Sequence, residues 1–229
     1  MTPRNRPAIA PPRLPSRQAL RAARDLELID DGVYTDLDVT GCRLAERAAR
    51  NVRIERVRLR DADLSEVRLD GLVMADVRLE GCDLANGSWR GASIDRAELI
   101  ECRLTGLDLS EASLRHVVMR RCRASLVSLR FSEIKHGRLE DCVLTEVDLQ
   151  DAKLPALVVR GSDLRGASLY GARLEGADLR GSVLDDLRMR ATDLAGAIVD
   201  PAQVIGLART FASLLGVKVR DASDDGEVC

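Results

Sequence analysis

Cys82, Cys102, Cys122 and Cys142 stand twenty residues apart, and Cys42 belongs to the same series with Ala62 in the place between. His116 and His136 keep the same interval. Thiols and imidazoles are the side chains best suited to ligate a metal, act as nucleophile or base, or carry a redox couple, so their regular spacing raises the question of chemistry at once. The remaining candidates are carboxylates, which are numerous but spread along the whole chain. No Ser-His-Asp or Cys-His constellation, Gly-rich phosphate loop or convergent carboxylate pair stands apart from the surrounding pattern. The residues therefore point away from an enzyme, and to no cofactor and no metal.

The interval of twenty is four times a shorter one. From Val39 to Val199 every fifth residue is apolar, through Leu44, Leu59, Leu64, Leu84, Trp89, Leu104, Leu129, Leu164 and Leu179, with no polar residue and no slip of register. Two residues before each lies a second column of Ala, Val, Cys, Leu, Ser and Gly, in which only Arg47 is charged. Neither the helical period of 3.6 nor the strand period of 2 yields a strict five. Units such as Ala62-Asp63-Leu64, Ala177-Asp178-Leu179 and Gly161-Ser162-Asp163-Leu164-Arg165-Gly166 match A-[DN]-L-x-x, and residues 37–200 resemble the pentapeptide-repeat family. That resemblance implies an all-β solenoid, a right-handed quadrilateral β-helix in which each pentapeptide forms one side and four close a coil, about eight coils in all. The central Leu and the small residue point inward, and stacking satisfies the backbone between coils.

A square coil sets residue n over n + 20, which turns the cysteines and histidines into columns. The cysteines fall at the small inward position and read as buried, reduced thiols acting as small hydrophobes, with Cys229 terminal and exposed. Ligands stacked in parallel do not converge on a tetrahedral zinc, and the histidines, at a solvated corner, lack a third ligand. Trp89, the largest central residue, is expected inside the coil, where Gly87 and Ala92 make room.

Composition agrees with a core built without aromatics. Hydrophobic residues make up 45% of 229, but only Tyr34, Trp89, Phe131, Tyr170 and Phe211 are aromatic. The net charge is -2, from 35 basic and 37 acidic residues, so no global field attracts nucleic acid or an anionic membrane. No apolar run reaches membrane-spanning length and none resembles a signal peptide, which points to the cytoplasm. Any electrostatic recognition is local. The most acidic side carries Asp63, Glu66, Asp83, Glu146, Asp163, Asp185 and Asp186, interspersed with Arg43, Arg103, Arg123 and Arg165.

The ends differ from the middle. Residues 1–36 read as a basic, Pro-rich arm with an irregular apolar cap. The arm itself, residues 1–24, is expected to be flexible and dispensable for folding, with a short helix over Ser16–Arg24 N-capped by Ser16. Leu26, Leu28, Ile29, Val33 and Tyr34 would form the cap over the first coil. Asp200, Pro201 and Gln203 announce a capped helix over 201–217, and Gly216 stops it. Its apolar residues Val204, Leu207, Phe211, Leu214 and Leu215 would cover the last coil and provide a homodimer contact. Residues 218–229 form an acidic tail.

In layout the chain is most similar to the mycobacterial fluoroquinolone-resistance and Qnr group of the family. The resemblance implies dimeric rods joined through a carboxy-terminal helix, which bind DNA gyrase or topoisomerase IV as mimics of duplex DNA and protect them from topoisomerase poisons. The acidic side would be the contact surface, with no direct binding of nucleic acid. The alternative is a general protein-interaction scaffold with a partner unrelated to DNA.

Overall fold

In the computed structural model, which describes residues 8–23 and 26–218, every fifth residue from Asp31 to Asp186 has a positive φ, for example Gly41 at 69°, Glu46 at 61° and Asn51 at 55°. A left-handed residue reverses the direction of an extended chain within one position, so each of these residues turns a corner. The corner position is populated by Gly, Asp, Asn and Glu more than by apolar residues, as the left-handed region favours for the first three. Corners five residues apart and partners twenty apart give a coil of four sides.

Neighbouring coils pair in parallel, with Arg53 opposite Val73, Leu59 opposite Leu79 and Leu99 opposite Met119. The Leu44 amide donates to the Asp63 carbonyl at 2.8 Å, and the Asp63 amide to the Cys42 carbonyl at 2.9 Å. Each coil thus meets the backbone needs of the next, as burial of these groups demands. Strands Arg53–Arg60, Val73–Glu80, Ser93–Ile100 and Ser113–Arg120 each cover two sides, bending at Arg56, Asp76, Arg96 and His116.

The fold is the expected parallel β-solenoid. The central column is buried from Val39 to Met189, except that Ile54 is half-buried. Arg47, the one charge in the small column, turns out to solvent, because an unpaired guanidinium would not remain charged and stable in that core. Trp89 lies inside at 3% exposure. A Cβ on Gly87 would stand 3.1 Å from Leu107 Cδ1, so the space next to the indole is already taken up.

Both ends depart from the regular coil. The winding is no longer regular after the corner at Asp186. Ala191 makes no left-handed corner, Leu194 is only half-buried, and Asp193 is buried instead, held by the Arg190 amide at 2.7 Å and its guanidinium at 2.9 Å. At the other end no helix spans Ser16–Arg24. Ser16 accepts from the Ala19 amide in a turn, and Arg21–Ala23 pairs as a strand with Leu37–Val39. A nine-residue helix is marginal in isolation, whereas the open edge of the first coil offers ladder hydrogen bonds immediately. Nor is the arm a free tail. Leu20 is buried, and residues 10 and 13 contact the solenoid through side chains described below. Residues 1–7, Arg24 and Asp25, residues 219–229 of the acidic tail, and with them Cys229, lie outside the described residues.

Leu26, Leu28 and Tyr34 pack on the core as a cap should, while Ile29 and Val33 remain exposed. The carboxy-terminal helix spans Pro201–Leu214, with Asp200 as its N-cap and a complete capping box. Gln203 also donates from Nε2 to the carbonyls of Leu179 at 2.8 Å and Ser182 at 2.6 Å. The Leu179 carbonyl also accepts from the Ser182 amide at 3.2 Å, so one side chain caps the helix and ties it to the end of the solenoid.

Candidate partner-binding surfaces

The acidic side is divided by its own arginines. Arg43, Asp63, Asp83, Arg103, Arg123, Val143, Asp163 and Val183 stack one above another along it, so two adjacent basic residues separate the acids of the early coils from those of the late ones. Asp63, Asp83 and Asp163 are half-buried and engaged locally. The Ser65 hydroxyl and amide donate to Asp63 at 2.7 and 3.1 Å and hold its carboxyl below the usual range. Asp83 accepts from the Ala85 amide at 3.0 Å and from Arg103 at 3.1 Å. Arg165 grips Asp163 through Nε and Nη2 and lowers it likewise.

The other four predicted acids are exposed, and among the described residues none of them enters an ion pair. Glu66, Glu146 and Asp186 occupy one corner column, with Asp185 beside the last. The carboxy-terminal helix passes close to this end, since a Cβ on Gly206 would lie 3.4 Å from Asp185 Oδ1. The seven residues are therefore brought to one side as expected, but three are spent on the fold and four remain available at its edge.

The helix residues expected at a dimer contact split in the same way. Leu207 is buried against its own solenoid and Phe211 is half-buried on the same core, which removes Leu207 from any contact surface. Val204, Leu214 and Leu215 are exposed, together with Ile205 at 77% and Val217, which spacing had not singled out. Ile205 was missed because a helix of alternating apolar faces does not reveal which face the last coil takes.

The thiol column is buried, and Cys82, Cys102, Cys122 and Cys142 are reduced thiols. It is also more polar than expected. Cys102 Sγ donates to the Leu79 and Ile100 carbonyls at 3.6 and 3.4 Å, and Cys122 repeats the pattern at 3.4 Å to Leu99 and Arg120. Ser162 and Ser182 continue the column with hydroxyls that do the same. The position selects a small donor rather than a small hydrophobe alone. The neighbouring thiols of the column, together with burial, push Cys102 and Cys142 up.

His116 and His136 stack with ring centroids 4.7 Å apart and planes 13° apart. Among the described residues no three His, Cys, Asp or Glu side chains gather as metal ligands would. A shallow polar depression of about 840 Å³ is lined by Arg50, Arg68, Asp70, Asn86, Ser88 and Asp108 and floored by small residues. Sequence gave no sign of it, because it arises from Ala48, Gly87 and Gly106 meeting across coils. Among the described residues no helix is long and apolar enough to cross a membrane.

Comparison with protein-family models matches a pentapeptide repeat region over residues 92–173, and copies of the pentapeptide repeat over residues 73–107 and 162–199. Together these run from residue 73 to residue 199, more than half the chain. The chain is a pentapeptide-repeat protein. Among solved structures, this pentapeptide-repeat protein is similar to a trypsin-treated form of QnrB1, a plasmid-mediated fluoroquinolone resistance protein, at 21% identity. That match covers 87% of this chain and 99% of the other, with a TM-score of 0.42. It is also similar to HetL, a pentapeptide repeat protein involved in heterocyst differentiation regulation in the cyanobacterium Nostoc, at 22% identity over 79% and 86% of the two chains, with a TM-score of 0.35. Comparison with curated proteins finds no match.

Proposed function

We propose that this pentapeptide-repeat protein is a cytoplasmic, non-enzymatic protein-interaction rod that binds DNA gyrase or topoisomerase IV in place of duplex DNA and so protects the enzyme from topoisomerase poisons. The observation that supports it is the set of unpaired carboxylates, Glu66, Glu146, Asp185 and Asp186, on one edge of a rigid rod. Carboxylates already held by Ser65, Arg103 and Arg165 add little to such a contact, because their acceptor oxygens are engaged within the rod and two of the three are paired with an arginine. A gyrase supercoiling assay with and without a quinolone is the direct test. Protection that weakens with salt and is lost on reversing the four free acids to Lys supports the reading. Unchanged protection in the reversed protein, or none in the wild type at low salt, refutes it.

The rod would act as a homodimer through Val204, Ile205, Leu214 and Leu215, an apolar helix face left over after the last coil is covered. The general scaffold is the second reading, favoured by Leu126, Phe131 and Tyr170, which are exposed on the outside of the late coils. Arg130 lies 5.7 Å over the Phe131 ring. Aromatic and arginine side chains of this kind suit a protein partner whether or not it normally handles DNA.

A further inference from the structure

Residues 8–17 do not extend away from the rod but run along one of its corners, against the winding direction of the coils. The contacts fall in order. The Ala10 amide donates to Nδ1 of His116 at 3.2 Å, the Arg13 amide to Oδ1 of Asp76 at 2.7 Å, and Arg17 reaches Asp38 at 3.6 Å. His116 and Asp76 belong to one corner column, and Asp38 lies two residues past the Asp36 corner of the same column, so ten residues of arm descend past about four coils before joining the first one as the strand Arg21–Ala23.

The upper anchor differs in kind from the others. An amide can donate to Nδ1 only while that nitrogen carries no proton, which fixes His116 as neutral with its proton on Nε2. Protonation would set N–H against N–H. The titratable and charged groups facing the ring are His136 stacked on it from the coil above, Asp95 and Arg96 on the strand below, and Arg115 on its own strand; among the described residues of the arm only the Ala10 amide meets it, the nearest charge there being Arg13. Only Asp95 would welcome a second positive charge. Burial, then His136, holds His116 below the ordinary histidine value of 6.5. Asp76, by contrast, is held below the usual carboxylate range by Arg96, so it remains an acceptor long after His116 has been protonated.

We propose that the amino-terminal end of this arm is a latch, closed on neutral His116 and opened by its protonation, while the Arg13–Asp76 anchor stays fast. Because the closed form disfavours the proton, docking is complete above the ordinary histidine value and is lost as pH falls through the depressed one. The latch makes exposure of residues 8–12 depend on mild acidity without disturbing the solenoid.

The test is amide hydrogen exchange of the full chain from pH 7.5 to pH 5, corrected for intrinsic rates and read at Ala10 and Arg13. Protection at Ala10 is expected to fall severalfold with pH while protection at Arg13 holds. His116→Asn keeps an acceptor oxygen where Nδ1 stands and tolerates the left-handed corner, so it should leave Ala10 protected at every pH. His136→Asn should keep the transition but move it to higher pH, by removing one source of repulsion. Protection at Ala10 that is independent of pH in the wild type, a fall that persists in His116→Asn, or parallel loss at Ala10 and Arg13 would each overturn the proposal.

Discussion

Asp76 and Arg96 sit one coil apart in the same corner column and meet side-on, Nε to Oδ1 at 2.6 Å and Nη2 to Oδ2 at 2.8 Å. Two coils below, Asp36 and Arg56 repeat the arrangement. From Asp36 to Arg96 this corner column is thus a ladder in which opposite charges alternate along the rod axis. Asp76 is buried and its carboxyl is depressed chiefly by Arg96. Its contribution is fully present above the ordinary carboxylate value of 3.8 and is lost as pH falls through the depressed one. Asp76→Asn should cost about 1 to 3 kcal/mol, discounted because Arg96 retains access to water. Urea titrations at neutral pH and near pH 3 should show the gap between variant and wild type closing in acid.

Trp89 fills the lumen, and the small cavities on either side of it, of about 10 and 20 Å³, are both lined by its ring. Trp89→Ala should cost about 3 to 5 kcal/mol through the cavity it opens. Its indole Nε1 is buried without a hydrogen-bond partner. Trp89→Phe should therefore cost much less than the lost volume suggests, because it also removes an unsatisfied donor. Chemical denaturation compares the two; equal losses would mean the N–H is satisfied in solution.

Leu126 turns its corner at φ 60° and is 56% exposed. A branched apolar residue there bears the cost of the left-handed region with no burial in return. Leu126→Asn should stabilise the rod by about 0.5 to 1 kcal/mol. A loss of stability in thermal melts would show that Leu126 has a packing role.

The helix offers a paired comparison. Leu207→Ala should destabilise the carboxy-terminal end by about 2 to 5 kcal/mol, since Leu207 is buried in the same chain. Ile205→Asp with Leu215→Asp should leave the melting temperature nearly unchanged but shift the mass measured by light scattering from dimer to monomer. A monomeric wild type would remove the dimer from the functional reading.

Native protein should label slowly at Cys82, Cys102, Cys122 and Cys142, all buried at 1–2% exposure, and rapidly once unfolded. Cys142→Ser should be tolerated better than Cys142→Val, because the column continues upward as Ser162 and Ser182 with hydroxyls donating to backbone carbonyls. The comparison is read by melting temperature, and the opposite order would mean that the position selects for volume alone.

The sequence alone determined the solenoid, its register and its core, because a period of five repeated without a slip leaves each residue one role and places its neighbour in the next coil by counting. Val39, Leu79, Trp89, Cys102 and Leu164 could be placed inside for that reason, and Asp200, Pro201 and Gln203 could be placed at a helix start because a cap is a local event. What only the tertiary structure decided lies where residues far apart in the count compete for one position. Asp63, Asp83 and Asp163 look as available as Glu66 until Ser65, Arg103 and Arg165 are seen to hold or adjoin their carboxylates. Leu207 and Ile205 look alike until the last coil takes one of them. The arm carries no repeat, so nothing in its composition says that Ala10 meets His116 across 106 positions. Its course is fixed by unsatisfied groups on a corner and an edge that exist only once the coils have stacked.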